Sequence, residues 1–136
     1  MKKGLCWLLI IGLMVGLLPL SACAKQTPTP APNIVSLEEI ATTWVNLLVE
    51  AKFDQAVESF DKTMAEQISG AILRETWSDL IAQVGVFKGI VSTRTSKQGI
   101  YDLVFVTCNF KNATLDIQLT YDADRKVAGL FFRPVE

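Results

Sequence analysis

Residues 100–122 read IYDLVFVTCNFKNATLDIQLTYD, and their pattern decides the fold class. The run 100–110 is β-branched and aromatic, and Lys111-Asn112 marks a turn. Residues 114–122 then alternate: Leu115, Ile117, Leu119 and Tyr121 share one face, and Thr114, Asp116, Gln118 and Thr120 share the other. A period of two is that of a strand with one face buried, which sends Asp116 toward solvent. Upstream, residues 86–97 hold Val, Ile and Thr without helical spacing, and Gln98-Gly99 marks another turn. Downstream, Asp122-Ala123-Asp124-Arg125 makes a third turn before a last strand at 126–134. Four consecutive strands joined by short turns form an antiparallel meander.

The segment before the meander is helical. Ser36-Leu37-Glu38-Glu39 is a capping box, and Leu37, Ile40, Ala41, Trp44, Leu48 and Ala51 follow at helical spacing. Phe53, Ala56, Val57, Phe60 and Met64 form a second apolar face, with Asp61 or Thr63 placed to cap a further short turn. A third helix is expected from about residue 70 to 84, with Leu73, Trp77, Leu80, Ile81 and Val84 as its stripe and Gly85 as its C-cap. Helices followed by a meander imply an α+β fold, with N-terminal helices packed on one face of a curved antiparallel four-stranded sheet.

The first residues are of another kind. Lys2 and Lys3 precede an uncharged apolar run from Leu5 to Leu20, and Leu20-Ser21-Ala22-Cys23 follows. These four residues resemble the bacterial lipobox. That resemblance implies a diacylglycerol on the Cys23 sulfur, cleavage before Cys23 and acylation of the new amino terminus. Two long chains anchor stably where one is marginal, since each buried CH₂ contributes about 0.8 kcal/mol. Two other readings compete: a retained membrane span over 4–24, and ordinary secretory cleavage at Ala22-Cys23-Ala24. The expected organisation is a lipoprotein signal peptide at 1–22, a lipidated Cys23 with a Pro-rich stalk at 23–35, and one domain at 36–136. Lys25–Asn33 reads KQTPTPAPN, a composition that favours extended polyproline-like geometry.

Loss of residues 1–22 removes Lys2 and Lys3 and moves the formal charge from −1 to −3. An acidic domain without basic clusters is poorly suited to nucleic acid, whose binding rests on neutralising phosphates. There is no histidine, which removes the commonest general base and metal ligand. Neither a metal nor any other cofactor is expected. Of the three cysteines, Cys6 leaves with the leader and Cys23 carries lipid, so Cys108 has no partner for a disulfide.

The strands carry apolar residues on both faces. Leu103 and Phe105 point opposite to Val104, Val106 and Phe110, and Phe131 opposes Phe132. Helices cover one face of a sheet, so the other calls for a cover, and a second copy of the chain is the simplest. A homodimer through the sheet is expected.

Several runs resemble a known family: Trp44-Val45-Asn46-Leu47-Leu48, Phe53-Asp54-Gln55-Ala56-Val57, Phe60-Asp61, Leu73-Arg74-Glu75-Thr76-Trp77, Gly85-Val86-Phe87, Tyr121-Asp122 and 127–134, VAGLFFRP. Together they resemble a bacterial domain of unknown function in the nuclear transport factor 2-like (cystatin-like) superfamily. Such domains occur alone on lipoproteins or ahead of α/β-hydrolase domains. The resemblance covers about residues 36–135; with the sequence running to Glu136, no hydrolase module is expected in it. It implies a strongly curved sheet wrapped on helices as a cone with an internal pocket, often dimeric through the sheet. Trp44, Trp77, Phe87, Tyr101 and Phe131 are the candidate pocket lining.

Relatives of ketosteroid-isomerase type place a carboxylate base and acidic donors inside the apolar cone. The polar candidates here are Tyr101, Asp102, Tyr121, Arg94 and Asp116, and no base-plus-donor pair emerges among them. Cys108 sits in a strand where a buried inert thiol is the ordinary case. Asp122-x-Asp124 lacks the Gly and Glu of a calcium loop, with Val127 and Arg133 at those places, and reads as a turn. The expectation is a non-catalytic, extracytoplasmic, membrane-anchored module that docks another envelope protein. The alternatives are a binding protein for a small apolar ligand in the cone, or an isomerase-like enzyme.

Overall fold

Ser36 turns extended chain into helix: its backbone is at φ −66°, ψ 157°, and its Oγ accepts the Glu39 N–H at 3.1 Å. This satisfies one of the orphan donors of the first turn. The computed structural model describes residues 34–135; the segments expected to be a signal peptide (1–22) and a stalk, with Cys23 between them, lie outside the described residues up to Asn33. Helix α1 (Leu37–Val49) buries Ala41, Trp44, Val45 and Leu48. After it, α2 (Phe53–Val57) and α3 (Lys62–Gln67) share the second apolar face.

That face is divided because Phe60 leaves the helical path to make a bridge with Val127. Asp61 N–H donates to Val127 O at 2.9 Å, and Val127 N–H donates to Ser59 O at 2.9 Å. Asp61 then caps α3, its Oδ1 accepting the Met64 N–H at 2.7 Å. Helix α4 (Gly70–Val84) is capped by Ser69 and ends at Gly85, whose φ of 83° is one an L side chain rarely adopts. Here the exit is tight as well. Lys111 N–H donates to Val86 O, and Asn112 N–H to Val84 O, both at 2.9 Å.

Strands β1 (Phe87–Gln98), β2 (Tyr101–Phe110), β3 (Thr114–Tyr121) and β4 (Val127–Pro134) form one antiparallel sheet in sequence order. Irregular register within β1, and between β3 and β4 near Tyr121, accompanies the sheet's curvature. The architecture is the α+β arrangement read from the sequence.

The core lies between the helices and the inner sheet face. Val104, Val106, Cys108, Phe110, Leu115, Ile117, Leu119, Tyr121 and Val127 join the helix residues there in one cluster. Trp77 of α4 packs on Phe110 and Phe132, with ring centres 6.0 and 6.4 Å apart. Each fully buried aliphatic side chain contributes about 1.5–3 kcal/mol, so this face carries most of the fold's stabilisation. Among the described residues, no helix packs on the outer sheet face.

Candidate ligand cleft on the open sheet face

The meander's register assembles the outer face. Arg94 is opposite Phe105, Phe105 opposite Gln118, and Gln118 opposite Phe131. One step along, Thr107 is opposite Asp116 and Asp116 opposite Arg133. Arg94 therefore starts two strands from Asp116. Its side chain crosses β2 with the guanidinium 4.3 Å from the Phe105 ring centre, and Nη2 reaches Asp116 Oδ2 at 2.6 Å. The other carboxylate oxygen accepts the Thr107 hydroxyl at 2.6 Å. On the far side, Arg133 stands over Phe131 at 5.5 Å.

Asp116 is thus not the solvent-facing residue that alternation suggests: it is only 4% exposed. Alternation correctly puts it opposite the core, but cross-strand neighbours enclose it there. Burial pushes its pKa up; hydrogen bonds from Arg94 and Thr107, together with the Arg94 charge, outweigh burial and hold it below the usual 3.8. Both oxygens are engaged, which makes the carboxylate a poor general base. Arg133 has no carboxylate partner within ion-pair distance among the described residues. Arg94, Phe105, Asp116, Arg133, Pro134 and Val135 enclose a cleft of about 380 Å³. Beside it in register, Gln118 is buried, with its Oε1 unpartnered among the described residues. The outer face is consequently mixed: apolar Leu103, Phe105 and Phe131 alternate with paired and unpaired polar groups.

The five proposed pocket aromatics fall in different places. Trp77 and Phe87 meet through Phe110, which Phe87 contacts edge-on at 5.7 Å. Trp44 is elsewhere in the core, 6.1 Å from Phe60, with its indole N–H donating to Ala56 O at 3.0 Å. It also borders a shallow apolar groove of about 270 Å³ with Val35, Ile40 and Leu47. Tyr101 is exposed at the β1–β2 hairpin, opposite Gln98, and Phe131 is on the outer face. Asp102 is half-buried and ion-paired with Lys97 at 3.1 Å.

Cys108 is fully buried, and burial, with the Asp116 charge adding to it, pushes its thiol up to about 12. Tyr121 is fully buried as well, and burial raises its pKa, with Arg125 opposing. Asp122 Oδ1 accepts the backbone N–H groups of Asp124 and Lys126 at 2.9 and 2.8 Å, a turn-forming use of that carboxylate. Arg133 was missed as a site residue. The sequence pattern does not reveal it: reflecting β4 about the 122–125 turn puts Phe131 opposite Asp116, and the register shift beside Tyr121 brings Arg133 there instead.

Residues 41–130 match the model of a family described as protein of unknown function (DUF3887). The chain belongs to this family. The matched region runs from within α1 into β4, so family membership covers the helices and the sheet together. The chain is also 28% identical over 98 residues to a protein named esterase EstD from Thermotoga maritima, an alignment covering 72% of this chain. It spans about a quarter (24%) of that relative's length. No solved structure shows a significant match.

Proposed function

We propose that this protein is a lipid-anchored extracytoplasmic module that works by binding rather than catalysis. Cys23 is the lipidation site, supported by Leu20-Ser21-Ala22-Cys23 behind a basic and then apolar leader. The non-catalytic reading rests on how the reactive side chains are used. Cys108 and Tyr121 are sealed in the core with raised pKa values, and Asp116 is ionised with both oxygens engaged. A general base or nucleophile needs an accessible group poised near working pH, which these are not.

The interaction surface is the open sheet face. Helices on one side of a curved four-stranded meander also support placing the domain in the nuclear transport factor 2-like superfamily. Within this proposal the open face meets a second copy of the chain or another envelope protein. The partial likeness to an esterase fits a domain that works alongside other modules. A small apolar ligand in the cone is the competing reading.

Radiolabelled palmitate and membrane fractionation test the anchor. The wild-type chain takes label and sediments with membranes, and Cys23→Ala loses both; processing and retention unchanged in that variant refute lipidation. Sedimentation equilibrium of Cys23→Ala tests the dimer, for which a monomer mass at all concentrations is the refuting result. Hydrolysis of p-nitrophenyl acetate stays at the uncatalysed rate if the domain is a binding module, and saturable turnover contradicts that.

A further inference from the structure

We infer that the outer-face cleft is a binding site for the carboxylate of a small monoanion with an apolar body, held by Arg133 against the Phe105–Phe131 surface. This goes beyond the binding role proposed above; the cleft lies on the same open face, so the ligand and a second copy seated there compete for it. Three observations carry it. The first is shape: at about 380 Å³ the cleft lies within the range of small-molecule sites.

The second is charge. Among the described residues that line the cleft, Arg94 and Arg133 contribute two positive charges and Asp116 one negative, a single net positive charge. Arg94 is committed to Asp116 at 2.6 Å, whereas Arg133 meets no carboxylate among the described residues. A guanidinium presents a planar fork of donors that matches a carboxylate. Asp116 at the floor of the cleft sets the limit on the ligand: one negative charge is matched, and a second is repelled by the buried carboxylate. A monocarboxylate is favoured over a phosphate monoester for that reason.

The third is the apolar surroundings. Phe131 is 49% exposed beside its guanidinium, and Phe105, Pro134 and Val135 supply further apolar surface. Such a wall takes the hydrocarbon part of a ligand whose head group Arg133 holds. The arginines are positioned before any ligand arrives, since each stands over an aromatic ring, so less side-chain freedom is lost on binding.

Titration of the ¹⁵N-labelled full chain in neutral detergent, followed through Arg Nε–H and backbone amide resonances, tests the inference. The probes are 3-phenylpropionate, 3-phenylpropanamide and phenyl phosphate. The expected result is saturable shifting of the Arg133 and Phe131 signals by 3-phenylpropionate. The neutral amide and the dianion each bind at least ten-fold more weakly. Arg133→Gln, at an exposed position, keeps the wild-type melting temperature and weakens 3-phenylpropionate at least ten-fold. Phe131→Ala weakens it several-fold. Equal binding of acid and amide, tighter binding of phenyl phosphate, unchanged affinity in Arg133→Gln, or no saturable shift each overturns the inference. Sedimentation of the same samples tells the two proposals apart: saturable shifts in a monomeric sample support the cleft and count against the dimer, and a monomeric sample without shifts overturns the cleft.

Discussion

Replacing Arg94 by Gln puts the energetics of the outer face to the test. An exposed arginine ordinarily contributes within about 0.5 kcal/mol of nothing when it is replaced. The Arg94 side chain is 56% exposed, but its partner Asp116 is 5% exposed, and this asymmetry sets the cost. Removal leaves a buried carboxylate with Thr107 as its remaining donor. A hydrogen bond to a charged group contributes about 1.5–3 kcal/mol, and the stacking over Phe105 about 0.5–1 kcal/mol. Water entering the open cleft, and the freedom regained by the side chain, offset part of this. A net loss of about 2 kcal/mol is expected, and in a domain of this size that lowers the melting temperature by roughly 10 °C.

The pH dependence has a definite sign. The folded pKa of Asp116 lies below its ordinary 3.8, so its stabilisation is present above that value and is lost as pH falls through the folded pKa. Urea unfolding of wild type and Arg94→Gln should therefore show the full gap at pH 7 and a closing gap below about pH 4. Adding Asp116→Asn should recover part of the loss. A gap under about 0.5 kcal/mol at pH 7, or one indifferent to pH, refutes the idea that Asp116 depends on Arg94.

Other sites give independent checks. Trp44→Phe removes the donor to Ala56 O in a buried setting and should cost about 1–3 kcal/mol by urea unfolding, against about 3–5 for Trp44→Ala. Gly85→Ala places a Cβ 2.7 Å from Lys111 Cβ at φ 83°, so a loss of roughly 1–3 kcal/mol is expected in thermal melts, and neutrality would contradict the tight exit from α4. Cys108, with its thiol pushed up to about 12, should resist Ellman's reagent at pH 8 in the native protein. Its modification should accelerate in step with urea unfolding; rapid native-state labelling would show the thiol to be accessible.

Local signals account for most of the fold. Ser36 and Asp61 cap because a short side-chain oxygen placed before a helix satisfies backbone donors wherever the helix later packs. Gly85 ends α4 because it tolerates a positive φ, a property of the residue alone. Leu115, Ile117, Leu119 and Tyr121 reach the core because strand alternation sends them to one face. Cys23 is likewise a local motif, outside the described residues.

Tertiary pairing decided the rest. Phe60 divides the second helical stretch because Val127, 67 residues later, offers it a bridge. Trp44 and Trp77 both repeat at helical spacing, yet one docks on Phe60 and the other on Phe110 and Phe132. Periodicity finds a buried face without saying what lies against it. Asp116 marks the same limit: its position in the strand places it opposite the core, whereas its ionisation is held by Thr107 and Arg94 on the two preceding strands. Strand alternation is a property of one chain segment, but the environment of a face is made by its neighbours.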